Sequence, residues 1–375
     1  MASDSQLAAL VDIALTQPRV AVDLEANGFH RYPEHVCLVQ LGFADRAFLI
    51  DPIAIDDMSP LGVLLASPDV VKIFHSADYD VRSLDRDWSF HIDPLFDTSI
   101  AAAFCGYTRL GLGALLKDCL DVDIPKEKKL QRADWTVRPI TGELREYAAE
   151  DVRHLERLAY FLHDRLDELG RVDWVREECE RLANVRFTHV DAEHAFLLVK
   201  GSKALNGREL AILRALHDFR EDEAIMRDRP PFKVFSDAAM VAIAEDPECD
   251  ISEIKGIGSY AYGRRRSSLR SAIAIGLEDD PVERPRISAK RGRPPGHSGD
   301  REAARRMLRR LKQWRLEVGQ DLEIDPALVW PAASLERLAA DEAACEYEMH
   351  SEPVRNWQRR EFGDSLCEFI DEARV

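Results

Sequence analysis

The 375 residues contain no apolar run of about 18 or more, which excludes a membrane-spanning helix. The seven cysteines are odd in number and include no Cys-x-x-Cys pair. That argues against both a disulfide framework and a cysteine-rich zinc site, and a cytoplasmic setting with reduced thiols is expected. The opening Met1-Ala2-Ser3-Asp4-Ser5 lacks the basic stretch and cleavage site of a secretory leader. No Gly-x4-Gly-Lys-Ser/Thr loop occurs, so ATP hydrolysis is not expected. His30, His35 and His91 share no ligand spacing, and no Ser/His/Asp or Cys/His nucleophile arrangement is recognisable.

What is present is a strongly sorted charge. The net value of −17 argues, taken whole, against a nucleic-acid binder. Yet residues 255–316 carry 17 basic and 6 acidic side chains, while the other 313 residues carry 34 and 62. Such sorting fits an anionic partner held at one place, or a set of solvated helix faces around a linker.

Residues 6–15 set Leu7, Leu10, Val11, Ala14 and Leu15 on one helical face. Five strand-like runs follow: 19–24, 36–43, 47–50, 70–74 and 95–97, of which the first three are spaced for an antiparallel meander. Helical patterns alternate with the later runs, which predicts an α/β layer on a mixed five-stranded sheet. Beyond about residue 140 only helices are expected. They read as long helices over 141–185 broken at Gly170, a block over 206–281 with Gly256 and Gly258 in its last turn, and a second block over 300–375. Residues 282–299 are rich in Pro, Gly and basic side chains and read as a linker. The similar length of the two blocks suggests a duplicated module.

The first strand reads Val20-Ala21-Val22-Asp23-Leu24-Glu25. Side chains alternate along a strand, so Asp23 and Glu25 leave the same face. Two acids there repel unless a cation neutralises them, and hard oxygen ligands suit Mg²⁺ or Mn²⁺. Alone, the pair also fits solvated acids at a strand end. The fourth run leads into His75-Ser76-Ala77-Asp78-Tyr79-Asp80, which places Asp80 just inside a helix, where the macrodipole also favours an acid. Tyr147 and Asp151 lie four apart on one helical face. His75 reads as a residue that packs or hydrogen-bonds near this group.

Asp23-x-Glu25, Asp80 and Tyr147-x3-Asp151 together resemble the three-motif signature of the DEDD exonucleases, in the branch with tyrosine in its third motif. Gln131-Arg132-Ala133-Asp134-Trp135, Arg138-Pro139, Tyr147-Ala148-Ala149-Glu150-Asp151 and Asp97-Thr98 resemble the ribonuclease D family in the same order. Ala133 stands where that family's pattern leads us to expect serine. The resemblance covers residues 1–195 and implies a ribonuclease H-like exonuclease domain that works with two divalent ions, Mg²⁺ or Mn²⁺. It implies Asp23 as the shared ligand, Glu25 and Asp151 beside the ion that activates water, and Asp80 supporting the second ion, largely through water. Tyr147 would orient the attacking water. The implied activity is 3′→5′ removal of 5′-mononucleotides from precursor transfer RNA and other small structured RNAs. A DNA exonuclease and a non-catalytic nucleic-acid-binding scaffold are the alternatives.

Asp228 to Asp237 and Ile254-Lys255-Gly256-Ile257-Gly258 resemble the small all-α HRDC module, here over 206–281. Lys255, Gly256, Gly258, Arg264, Arg265 and Arg266 are candidate phosphate contacts, since glycines between helices expose backbone N–H groups. Residues 300–375 resemble a second, divergent HRDC-type module. Its first helix carries Arg305 and Arg309 among other bases, whereas 317–375 holds 15 acids against 5 bases. Only that helix is expected to touch RNA, the rest packing on the exonuclease domain or closing a ring with it. Lys290-Arg291-Gly292-Arg293-Pro294 resembles an AT-hook, with a basic tether along RNA phosphates as the other reading. A monomer without a membrane partner is expected.

Overall fold

The computed structural model describes residues 1–124, 128–284, 301–340 and 345–373. Five strands form one sheet in the order β3-β2-β1-β4-β5: β1 (Arg19–Ala26), β2 (Val36–Phe43), β3 (Arg46–Ile50), β4 (Val71–Phe74) and β5 (Leu95–Asp97). The first three make the meander, and β4 and β5 add in parallel, so the sheet is mixed. β1 runs two residues past its apolar stretch and ends in a bulge, where the register slips from Glu25↔Leu38 to Ala26↔Val36.

The N-terminal layer holds α1 (Asp4–Ala14), α2 (Ser59–Ala66), α3 (Asp78–Trp88), α4 (Thr98–Phe104), α5 (Leu112–Leu120), the single turn α6 (Lys128–Gln131), α7 (Gly142–Arg153), α8 (Leu155–Glu168) and α9 (Val172–Ala183). Every residue of β2 is buried, because helices cover both faces of the sheet's centre. Val20, Val22 and Leu24 join Leu7, Leu10, Leu158 and Leu162 in the main core. On the other face Ala21, Asp23 and Glu25 of β1 stand opposite Gly42, Gln40 and Leu38 of β2. α7 lies across β1, β2 and β3 on that face.

Two expectations need correction. Gly170, with φ +68°, separates α8 from α9, but the helices also break at His154, which caps both α7 and α8. No Gly or Pro marks that break. α7 packs against β3, β2 and β1, whereas α8 reaches β1 and β4, and one straight helix cannot serve both. Gly256 and Gly258, at φ +89° and +58°, do not punctuate the last turn of their block; a further helix of 16 residues follows them.

Beyond residue 140 there is no strand among the described residues. α10 (Gly207–Met226), α11 (Pro231–Val234), α12 (Asp237–Glu245) and α13 (Gly263–Glu278) close around their own core of Leu213, Leu216, Phe235, Met240 and Ile273. Asn206 and Glu209 form a reciprocal capping box that starts α10. The last block comprises α14 (Arg301–Asp321), α15 (Pro326–Val329), α16 (Ala332–Ala340), α17 (Cys345–Met349) and α18 (Asn356–Ala373). α14, α15 and α16 repeat the order of α10, α11 and α12: a helix of 20 or 21 residues, a Pro-led turn of 4, then a helix of 9.

The two blocks are held differently. Leu311, Trp330, Leu338 and Trp357 of the last block belong to the same apolar core as the sheet layer. Trp357 stacks on Trp174 of α9 with ring centres 4.8 Å apart, and Arg355 pairs with Glu178 at 2.9 Å. The buried Arg171 guanidinium donates to the carbonyls of Phe104 and Leu322, bridging the two parts. The AT-hook-like 290–294 and the linker from 285 lie outside the described residues.

Candidate active site

The site is assembled from one strand and two helices. β1 supplies Asp23 and Glu25 near its end, where its register with β2 slips past Cys37. α7 supplies Tyr147 and Asp151 one turn apart. Carboxylate oxygens of Asp23, Glu25 and Asp151 all lie within 4.8 Å of one another. Asp80, in the first turn of α3, is buried and close enough for its charge to weigh on Asp23 and Glu25. The five residues singled out in the three sequence motifs are thus gathered at one place.

Gly42 is what lets α7 come so near. A Cβ there would sit 2.7 Å from the Val152 carbonyl oxygen and 3.0 Å from the Val152 Cβ. The absent side chain is the seat of the helix end that carries Asp151. Sequence reasoning missed it, since a glycine inside a strand has many explanations.

Asp80 is placed by a second acid. The Asp97 carboxylate, buried at the end of β5, caps α4 by accepting from Ser99 N and Ile100 N at 2.8 and 3.1 Å. It also accepts from Ala77 N at 2.7 Å and Ser76 N at 3.2 Å, in the turn that opens α3. Ser76 holds φ +61° in that turn. Thr98 donates to the Phe74 carbonyl, and His75 Nδ1 lies 2.9 Å from the Thr98 hydroxyl. His75 is therefore engaged beside the site, and burial lowers its pKa.

Among the described residues no lysine or arginine pairs with the four acids. Burial, then the charges of Asp80, Asp151 and Glu25, hold Asp23 well above the ordinary carboxylate range. Burial and the charges of Asp151 and Asp80 push Glu25 up to about 9. Asp80 and Asp151 are raised to about 7, each chiefly by burial. Tyr147 is raised too, by burial and then by Asp151, Glu25 and Asp23, so its phenol stays protonated at any physiological pH. Buried acids that cannot all ionise in one another's company want a compensating charge. All-oxygen donors suit a hard divalent cation, so the residues fit one.

The approach to the site is braced from two sides. Trp135, buried, lies 6.2 Å from the Tyr147 ring. Arg138 grips Asp51 of the turn after β3 through Nε and Nη2, at 2.6 and 2.7 Å, fixing the segment before α7. The loop between β1 and β2 meets the HRDC-like block: Arg31 bridges Asp228 at 3.0 Å and Asp134 at 3.5 Å, and the Tyr32 hydroxyl donates to Glu221.

The expected phosphate contacts are not gathered at the acids. Lys255, Gly256, Gly258, Arg264 and Arg265 are exposed on the loop before α13 and on its first turn. Arg266 is half-buried and pairs with Asp250 at 3.2 Å. Arg270, one turn further along α13, donates to the carbonyls of Pro247 and Cys249 and serves the fold. Arg305 and Arg309 are exposed on α14.

A family model described as 3′-5′ exonuclease matches residues 1–167, and an HRDC domain model matches residues 209–267. The ribonuclease D of Granulibacter bethesdensis is 31% identical over 370 residues, covering 96% of this chain and 90% of that protein. The chain belongs to the ribonuclease D family. Membership makes it a metal-dependent 3′→5′ exoribonuclease, a hydrolase of phosphodiester bonds. A second ribonuclease D, from Pseudomonas paraeruginosa, is 36% identical over 230 residues, 61% of this chain and 60% of that protein. The crystal structure of Escherichia coli RNase D shares the fold, with a TM-score of 0.71 at 23% identity over 99% of this chain and 98% of that one. The catalytic core of RRP6 from Trypanosoma brucei aligns with a TM-score of 0.63 at 27% identity, over 74% and 78%. The five-stranded sheet lies within the residues matched by the exonuclease model, and most of α10 with α11 and α12 within those matched by the HRDC model.

Proposed function

We propose that Asp23, Glu25, Asp80 and Asp151 hold two divalent ions, Mg²⁺ or Mn²⁺, and that Tyr147 acts beside them in trimming RNA 3′ ends to 5′-mononucleotides. The observation that carries this reading is the convergence of carboxylate oxygens from three acids within 4.8 Å, with no basic side chain paired to them among the described residues. Bound there, the ions would activate the attacking water and stabilise charge on the departing 3′-oxygen. The chain's own residues do the rest. Tyr147, one turn from Asp151 on α7, would hydrogen-bond the attacking water and fix its direction. Trp135 holds the phenol ring from behind. Asp97, through the Ser76–Ala77 turn, keeps Asp80 in its place.

Precursor transfer RNA and other small structured RNAs fit as substrates, because α13 and α14 of the helical blocks carry clusters of exposed bases on which a folded RNA body would rest. Arg264, Arg265, Lys255 and the glycines at 256 and 258, with Arg305 and Arg309, are the proposed contacts. We divide the chain into an exonuclease domain over 1–195, an HRDC domain over 206–281, a linker over 282–299 and a second HRDC-type domain over 300–375. The matching helix lengths of the two blocks support that last assignment. A monomer in the cytoplasm suits the reading.

The test is a time course on a transfer RNA with a short 3′ trailer beside a DNA strand of equal length. Each is run with Mg²⁺, Mn²⁺ or chelator, using wild type and Asp23→Asn. Stepwise shortening of the RNA alone, abolished by chelator and by the substitution, is expected. Preferential digestion of DNA would replace RNA trimming with a DNA exonuclease, and digestion of neither would leave a binding scaffold.

A further inference from the structure

β2 carries seven apolar or glycine residues and one polar side chain, Gln40. Gln40 is wholly buried, and both its amide nitrogen and its carbonyl oxygen lack a hydrogen-bond partner. Buried polar groups are almost always paired, so two unpaired atoms on one side chain point to a partner that is not protein. The β1–β2 register places Gln40 directly across from Asp23, and the β2–β3 register places Leu49 on its other side. Leu38 and Gly42 flank it on the same face, and Val152 of α7 lies over Gly42. Asp23 is thus the only ionisable side chain among these neighbours. A second orphan lies in the apolar cluster that includes the neighbouring Leu38: the indole N–H of Trp135, packed with Leu38, Ala148 and Tyr147, is buried without a partner among the described residues.

We propose that Gln40 is a positioning residue for the active site, its amide completed by ordered water shared with the Asp23 carboxylate. The water needs two to four polar partners, and the amide N–H, the amide oxygen and the inner oxygen of Asp23 supply them. The choice of glutamine has a physical sense. A neutral amide orients the carboxylate without adding a charge to a site that already holds four acids. A lysine or arginine there would neutralise Asp23 and compete with cations. An apolar residue would remove the amide that holds this water against the Asp23 carboxylate. Groups that orient metal-binding carboxylates typically change metal affinity by about 10–100-fold when lost.

The inference rests on the metal-binding role given to Asp23 above. The test compares wild type, Gln40→Met, Gln40→Asn and Asp23→Asn, measuring Mn²⁺ affinity by isothermal titration, melting temperature without metal, and kcat and KM for RNA. Methionine conserves volume and removes the two orphaned atoms, so Gln40→Met should melt at or above the wild-type temperature. Its Mn²⁺ affinity and kcat should both fall about tenfold or more, with KM for RNA unchanged. Gln40→Asn, which keeps an amide one methylene short, should recover part of both. Mn²⁺ affinity and kcat that stay at wild-type levels in Gln40→Met would overturn the proposal and leave Gln40 a packing residue. Should Gln40→Met fail to fold, the same two readouts on Gln40→Asn decide. Wild type that binds Mn²⁺ no better than Asp23→Asn would overturn the metal reading itself, and this inference with it.

Discussion

Single atoms decide whether α7 reaches the sheet. Because a Cβ at position 42 would sit 2.7 Å from a main-chain carbonyl that has no flexible end to move, Gly42→Ala must lift the helix. We expect a loss of about 1–3 kcal/mol in unfolding free energy and a marked drop in kcat, because Tyr147 and Asp151 ride on the displaced element; chemical denaturation and single-turnover assays check both. The acids make the opposite trade. Glu25 ionises near 9 in the folded chain against an ordinary value of 4.5, so the native state holds its extra proton between those limits. Its contribution is favourable below pH 4.5 and is lost as pH climbs towards 9. Glu25→Gln should therefore raise the melting temperature of metal-free protein at pH 8, with the gain shrinking towards pH 5, while activity disappears. A variant less stable at pH 8 than wild type would contradict that account. The acids were legible from their types and spacing. Gly42 and Gln40 were not, because what they do depends on which strand lies opposite and which helix lies above.

At the level of elements, one carboxylate organises two helices. Asp97 accepts from main-chain N–H groups in both the turn that opens α3 and the first turn of α4. Asp97→Ala leaves those donors buried and unpaired and should cost about 2–4 kcal/mol. It should also weaken Mn²⁺ binding through the displaced Asp80, whereas Asp97→Asn, which keeps the acceptor oxygen, should lose less of each; calorimetric unfolding and ion titration separate the two effects. The strands were readable to within a residue or two because their apolar runs are short and bounded by turns. The bulge at Glu25 and the break at His154 were not. Both answer to what each element must pack against, and neither leaves a Gly or Pro in the sequence.

For the whole molecule the sorted charge becomes a division of labour. The proposed metal-binding acids lie in the exonuclease layer, and clusters of exposed bases sit on α13 and α14. Replacing Arg264 and Arg265 together by alanine should weaken RNA binding. The logarithmic salt dependence should flatten by about 0.7 for each phosphate that is no longer neutralised, with kcat at saturating RNA retained. An unchanged salt slope removes both from the interface. Domain order was readable, and the packing of the last block on the exonuclease layer was one of the two expectations for it. The residues that carry it were not legible, since core membership joins positions as far apart in the chain as Trp174 and Trp357.

That last pairing bears on where the polypeptide can be divided. The stretch from 196 to 282 owns its interior, whereas the final block lends its tryptophan and leucines to the catalytic layer. Deletion of the carboxyl-terminal block would strip the cover from Phe104 and Trp174 and leave a wound of apolar surface on the catalytic half. Excision of the middle block would expose little beyond the Tyr32 loop. The tail, furthest in sequence from the metal-binding acids, is thus built into the exonuclease layer, and the module between them is the more separable part.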